Sequence, residues 1–400
     1  MKNWVTKKLD EVCDLITCGV AAKPDYVDDG IPFLSAKNVK EGQIIWSGYN
    51  CISEKTHNEL TKNNKPLLGD ILYTRVGSYG EAAVIEDDNE FSVFVSLTLI
   101  KVDKTVLNNY FLKHYLNSDF VKRLAKKSIS SSGVGNLNVG TVREFPILVP
   151  PLPEQQRIVA ILDKAFAAID KAKTNAEQNL KNAKELFNVY LHKYFSSKEE
   201  GWEEKNLKEV ADYFNGLTYS PSDVSKEGII VLRSSNVQND ELDFSDIVRV
   251  NLTVKEKIIV KDGDILMCSR NGSARLVGKT ATIKDLNEEM TFGTFMMIIR
   301  SQYNPYLSWF FKSTDFRNQI KGGENTMINQ ITRYMLDDIV LSFPPIDKQN
   351  EIVQKLDALS SEIKKLDKIY NQKINDLEEL KKSVLQKAFN GELKTNAVAI

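Results

Sequence analysis

Apolar positions follow two rhythms that alternate along the chain. From Ile158 they recur in steps of four and three: Ile158, Leu162, Ala165, Ile169, Ala172, Ala176, Ala183, Leu186 and Tyr190, interrupted at Asn179. The same steps return in Ile352, Leu356, Leu359, Ile363, Leu366, Tyr370, Leu377, Leu380 and Val384, with Lys373 opposite the interruption. A 3.5-residue period held over four heptads marks a coiled-coil face. Each run follows a proline-rich stop, Pro150-Pro151-Leu152-Pro153 or Pro344-Pro345-Ile346-Asp347, and then lacks glycine and proline up to Gly201 or Gly391. Pro153 suits a first helical position, Asp347 suits an N-cap, and Glu154 lies near the positive end of its helix. The pattern predicts two helices of about 42 residues, each a rod of about 60 Å at about 1.5 Å per residue. Rods of equal length most simply pack on each other, and an antiparallel pair would hold the domains between them apart.

Ahead of each rod lies a stretch of different texture. Short strand-like runs at 91–101 and Met296–Arg300 alternate with Gly, Asn and Ser punctuation, and helices are predicted over 110–126 and 305–320. The fold class is α+β. The chain divides into a globular domain (1–150), a first long helix (151–200), a second globular domain (201–343), and a second long helix with a tail (344–400).

The halves are also copies of one another. Leu9-Asp10-Glu11-Val12 matches Leu207-Lys208-Glu209-Val210, and Gly30-Ile31-Pro32-Phe33-Leu34 matches Gly228-Ile229-Ile230-Val231-Leu232. Gly69-Asp70-Ile71-Leu72 matches Gly263-Asp264-Ile265-Leu266, Arg75…Gly77-Ser78 matches Arg270…Gly272-Ser273, and Pro151-Leu152…Gln155 matches Pro345-Ile346…Gln349. Five blocks in the same order are not chance.

Composition narrows the class. Hydrophobic residues make up 42% and charged residues 27% of 400, with no apolar run approaching the ~20 residues of a membrane span. Charged residues rather than an apolar stretch follow the N-terminus, so the expected compartment is the cytoplasm. Four cysteines agree with a reducing environment. Basic and acidic residues number 53 and 54, so nucleic-acid binding would rest on local placement or on a partner that supplies positive charge.

Catalytic patterns are missing. The nearest phosphate-loop candidate, from Gly272 to Thr280, is one residue too long, and Asn304-Pro305-Tyr306 lacks the second proline of an adenine-methyltransferase loop. Cys13 and Cys18 have no second Cys/His pair nearby, and His57, His114 and His192 are isolated, so neither a metal site nor a catalytic residue is expected. What recurs instead are three pairs of polar segments with residue types that read bases and phosphates. They are Ser35-Ala36-Lys37-Asn38 with Arg233-Ser234-Ser235-Asn236, residues 74–80 with 269–275, and residues 128–138 with 321–330. They read equally as surface turns or as a recognition surface. The candidate DNA contacts are Lys37, Asn38, Arg75, Ser78, Tyr79, Asn136 and Asn138 in the first half. In the second they are Arg233, Asn236, Arg270, Asn271, Ser273, Arg275 and Asn325. Phe187, Leu191, Phe195, Leu385 and Phe389 add apolar surface beyond the rod seam, suited to docking partner helices or to closure on the chain's own domains.

These blocks, their duplication, and the closing Val384-Leu385-Gln386-Lys387-Ala388-Phe389-Asn390-Gly391-Glu392-Leu393 resemble the specificity subunit of type I restriction-modification systems over essentially the whole chain. The resemblance implies two target recognition domains reading parts of a split, asymmetric site in double-stranded DNA, with the paired helices as ruler. It implies two modification (methyltransferase) subunits that methylate adenine, and restriction subunits that join them. S-adenosylmethionine, ATP and Mg would sit on those partners, with no cofactor on this chain. Asp347-Lys348-Gln349-Asn350 departs from the Pro-Glu-Gln-Gln of the first half. The rival reading is a coiled-coil protein adaptor without DNA readout.

Overall fold

The computed structural model describes residues 4–77, 79–129, 135–197, 199–320 and 329–393. Two compact units emerge, Met1–Ala176 with Asn371–Ile400, and Glu177–Tyr370. Each contains one globular domain and portions of both long helices, Leu152–Ser196 and Ile346–Phe389.

In the first unit an antiparallel sheet runs in the order Cys13–Cys18, Leu97–Val102, Ile71–Thr74, Ala82–Val84. Successive side chains of a strand face opposite sides, and here both sides are covered. Ile71 and Tyr73 join the core beneath the helices, while Leu72 joins a second core with Leu34, Phe91 and Leu99. The second unit repeats the order with Asp212–Asn215, Met296–Arg300, Ile265–Cys268 and Thr280–Thr282. Ile265 and Met267 face one core, and Leu266 and Cys268 the other.

The shared Gly-Asp-Ile-Leu block sets up the central strand. Gly69 and Gly263 take φ of 88° and 86°, a left-handed conformation that favours glycine. The aspartate accepts a backbone N–H three residues back, from Leu67 to Asp70 (2.9 Å) and from Lys261 to Asp264 (2.8 Å). It also pairs with a cation on the neighbouring strand, Lys101 in the first unit and Arg300 in the second.

Each globular domain opens on a strand that pairs with the strand leading into the rod, Val5–Lys8 with Pro146–Val149, and Glu203–Asn206 with Val340–Phe343. The rods begin at Leu152 and Ile346, so Asp347 lies inside the first turn and not at the N-cap. The fully buried Gln155 fixes the first rod to its domain, accepting from Asn108 N (2.7 Å) and donating to Val106 O and Pro150 O. Each single helix predicted over 110–126 and 305–320 is instead two, Asn109–Leu116 with Asp119–Lys127 and Asn304–Phe310 with Thr314–Ile320. A serine breaks each, because its hydroxyl accepts the N–H three residues on: Ser118 from Val121, Ser313 from Phe316.

Within each unit the long helices pair antiparallel. In the first, Lys173 meets Glu378 (2.6 Å) and Asp170 meets Lys381 (2.8 Å). In the second, Lys184 meets Asp367, while Leu191 and Phe195 share a core with Leu356 and Ile352. Ile158, Leu162, Ile169, Ile352 and Leu356 are buried, and Ile363 and Leu377 are half-buried. Leu186 and Leu380 depart from the predicted seam, at 58% and 48% exposed. An α-helix drifts about 20° per heptad from a strict 3.5 repeat, so after four heptads burial has moved one residue on. That shift also corrects the docking-face reading of Phe187, Leu191, Phe195, Leu385 and Phe389. The first three pack against Trp309, Tyr306 and Phe310 of their own unit, and Phe389 lies against Phe111 and Tyr115 beside Leu385. Among the described residues no helix is long and apolar enough to cross a membrane.

Two histidines of the first unit make its stability pH-dependent. His57 is buried against Ser92 Oγ (3.0 Å), and His114 is buried with Nε2 2.8 Å from Asp163 Oδ1. Burial lowers both histidine pKa values, and the hydrogen bond from His114 holds Asp163 below its ordinary range. Below the unfolded value of about 6.5 the unfolded chain binds protons that the folded one refuses, so stability is lost as pH falls through that point. Asp163 acts in the same direction at lower pH. Thermal melts are expected to drop between about pH 7.5 and pH 5.5, and the drop should shrink in His114→Gln.

Candidate nucleic-acid interface

The three polar segments of each half come together at one end of its sheet. In the second unit Ser269 N and Arg270 N donate to Phe295 O (2.9 and 3.1 Å), Asn271 N to Asn329 O (3.2 Å), and Ile331 N to Ser269 O (2.7 Å). Asn271 Nδ2 reaches Ser234 Oγ at 3.2 Å and so ties in the segment after the strand Ile229–Leu232. In the first unit Ala36 N donates to Ser96 Oγ (3.0 Å), Arg75 N to Ser96 O (2.9 Å), Leu137 N to Arg75 O (2.8 Å), and Gly77 N to Gly135 O (3.3 Å). Segments far apart in sequence thus form one polar edge, twice.

Individual side chains divide into scaffold and surface. Asn38 and Asn236 are each 1% exposed and do not face solvent. Asn38 Oδ1 accepts from Ser35 N (3.1 Å) while Nδ2 donates to Ile45 O and Ser47 O. Asn236 does the same with Arg233 N (2.9 Å), Asp243 O and Asp246 O. With their hydrogen bonds spent on backbone, they are turn clamps rather than base readers. Arg75, also buried, gives Nε to Leu137 O (2.8 Å), Nη1 to Val95 O (2.9 Å) and Nη2 to Asn136 Oδ1 (3.0 Å). Arg233 is half-buried and paired with Asp246 (2.6 Å).

Arg75 and Arg270 are not equivalent, although the sequence blocks align them. Leu137 N bonds Arg75 O where Ile331 N bonds Ser269 O, and Arg75 N bonds Ser96 O where Ser269 N bonds Phe295 O. Arg75 therefore occupies the place of Ser269, and Arg270 that of Val76. A one-residue slip in an extended segment turns a side chain to the other face, so Arg75 points into the fold and Arg270 out of it. Arg75→Ala strips donors from two carbonyls and is expected to cost about 2–4 kcal/mol of stability, seen as a lower melting temperature of the assembled protein.

The outward set is smaller and more basic. Arg270 is exposed, its guanidinium 5.4 Å from the ring centroid of Phe295, itself 55% exposed. Lys37, Arg275, Ser273, Asn136 and Asn138 are exposed, with Asn138 Oδ1 capping Gly140 N (2.8 Å). Asn271 is half-buried and caps Ser273 N (3.0 Å), and Tyr79 is half-buried against the first core. Ser78 and Asn325 lie outside the described residues. Two aromatics escaped the sequence reading: Phe295, in the turn before Met296–Arg300, and Tyr334, 83% exposed beside the exposed Arg333. An aromatic in a polar, glycine-bearing turn was the available signal for Phe295. Exposed arginines beside exposed rings suit base edges and phosphates, because stacking holds the guanidinium fork in place.

Known proteins resemble the chain over nearly its whole length. The sequence model for the type I restriction modification DNA specificity domain matches twice, at residues 1–181 and 199–378. The type I restriction enzyme EcoKI specificity subunit of Escherichia coli K12 is 23% identical over 98% of this chain and 89% of its own length. A putative type I restriction enzyme MjaX specificity subunit of Methanocaldococcus jannaschii is also 23% identical, over 98% of this chain and 94% of its own length. In fold, the chain is similar to one solved in work on complex assembly and conformational transition of the type I R-M system. That likeness has a TM-score of 0.81 and 19% identity, covering 98% of this chain and 99% of the other. The HsdS subunit from Thermoanaerobacter tengcongensis follows at 0.61 and 18%, covering 98% and 97%.

Proposed function

The chain belongs to the family of type I restriction-modification specificity subunits, and from that premise we propose that its two domains read the two parts of a split, asymmetric site in double-stranded DNA. The observation that carries the reading is the recurrence of one polar edge in both units, presenting in the second Arg270 over Phe295 with Arg275, Arg333 and Tyr334 exposed. The adaptor reading draws no support from relatives that are themselves specificity subunits. In this proposal the chain works in the cytoplasm and catalyses nothing. Adenine methylation is done by two modification subunits carrying S-adenosylmethionine, and restriction subunits using ATP and Mg complete the assembly. With Phe187, Leu191, Phe195, Leu385 and Phe389 spent on the chain's own cores, the modification subunits are left the apolar residues that stay exposed on the rods. In the second unit these include Leu186, Val189, Tyr190, Ile346 and Ile369. Methylated adenines would be mapped in cells carrying the chain with its modification subunit and in cells lacking this chain alone. A gapped motif that disappears with the chain is expected; identical maps would refute the reading.

A further inference from the structure

Where the two halves share a backbone, one corner differs sharply in charge. Thr74 N donates to Glu81 O (2.9 Å) and Gly80 N to Thr74 O (3.0 Å); Cys268 N donates to Lys279 O (2.9 Å) and Gly278 N to Cys268 O (2.8 Å). Lys122 N donates to Ser118 O as Arg317 N does to Ser313 O. Glu81, Asn117 and Lys122 of the first unit therefore correspond to Lys279, Lys312 and Arg317 of the second. The first corner is self-compensated. Lys122 Nζ meets Glu81 Oε1 at 2.6 Å, and Asn117 bonds both backbone groups of Ala82 (2.8 and 2.9 Å).

In the second corner both the acid and the amide are lysines. Asp240, at φ 64°, is the one carboxylate bordering the cleft among the described residues, and it meets Lys312 at 3.4 Å. Among the described residues, Lys279 Nζ and Arg317 Nη1 hydrogen-bond only to the carbonyls of Val237 and Val277, each at 2.5 Å. Burial works against the charge on Arg317, and among the described residues only Asp240 opposes it. Half-buried cations without a counter-charge are costly. They border a cleft of about 230 Å3 whose other walls include Trp309 and, from the rods, Asn188 and Ser360.

We propose that this cleft is a binding site for a small phosphate-bearing anion. Among the described lining residues three cations face one carboxylate, a surplus of positive charge that suits a dianionic phosphate. The guanidinium fork matches phosphate oxygens, Lys279 adds a point charge, and Asn188 and Ser360 offer further donors. The volume exceeds that of a bare phosphate and leaves room for an organic substituent beside it. In the first unit Glu81 stands in the place of Lys279 and neutralises Lys122.

The test is calorimetric titration of the full chain with pyrophosphate, at ionic strength held constant with sodium chloride. The wild type is expected to bind one equivalent saturably. Lys279→Glu, which gives Arg317 the partner that Glu81 gives Lys122, should weaken binding about tenfold or more and raise the melting temperature without ligand. Lys279→Gln, which removes the charge alone, should weaken binding as well. A folded wild type that binds no pyrophosphate, or equal binding by the wild type and both variants, overturns the proposal.

Discussion

Arg300→Ala is expected to cost the second unit about 3–5 kcal/mol, the usual consequence of leaving one half of a buried ion pair behind. Asp264 is 2% exposed, and Arg300 engages both its oxygens, Nε to Oδ1 at 2.8 Å and Nη2 to Oδ2 at 2.6 Å. The same guanidinium donates to Ile259 O (2.9 Å) and lies over Phe214 at 5.1 Å. Removing it leaves Asp264 with the backbone N–H of Lys261 and strips the strand Met296–Arg300 of its link to the loop before Ile265–Cys268. The first unit already carries the milder version, because Lys101 stands in the arginine's place beside Asp70. Arg300→Lys should accordingly recover much of the loss. Chemical denaturation of the three proteins measures it; an Arg300→Ala variant as stable as wild type would mean that the pair contributes nothing net.

Arg270→Ala should leave stability nearly unchanged and weaken recognition of the cognate site by about 1–3 kcal/mol, the range of a bidentate base contact. The guanidinium is exposed, bonded to no described side chain, and held over Phe295. Removing it opens no cavity and orphans no buried group. Phe295→Ala should act in the same direction more weakly, by releasing the fork. Arg75→Ala provides the contrast, since it loses stability through Leu137 and Val95. Methylation rates on cognate DNA, read beside melting curves, separate the two arginines. Unchanged cognate methylation by assembled Arg270→Ala would remove it from the recognition surface.

The large architecture was legible because its signals are periodic or duplicated. Two heptad runs became helices of 45 and 44 residues, and the duplicated blocks became two sheets of the same strand order. Segments that recur in sequence also meet in space. The finer assignments failed where composition is silent about direction. Asn38 and Asn236 have the chemistry of an adenine reader, yet four residues after a strand the same amide is well placed to clamp a turn. Arg75 and Arg270 looked paired because flanking glycines aligned, and one residue of slip reversed their faces. On the rods, an apolar residue announces that something covers it without saying what; for Phe195 it was Tyr306 and Phe310.

If each domain reads its own part of the site, exchanging one domain should exchange one part of the motif. Residues 1–150 would be replaced by the matching domain of a relative with a different target, and methylated adenines mapped in cells that also carry the modification subunit. The expected motif has one part changed to the donor's, while the other part and the gap stay as they were. A motif altered in both parts, or in neither, would contradict separate reading by the two domains.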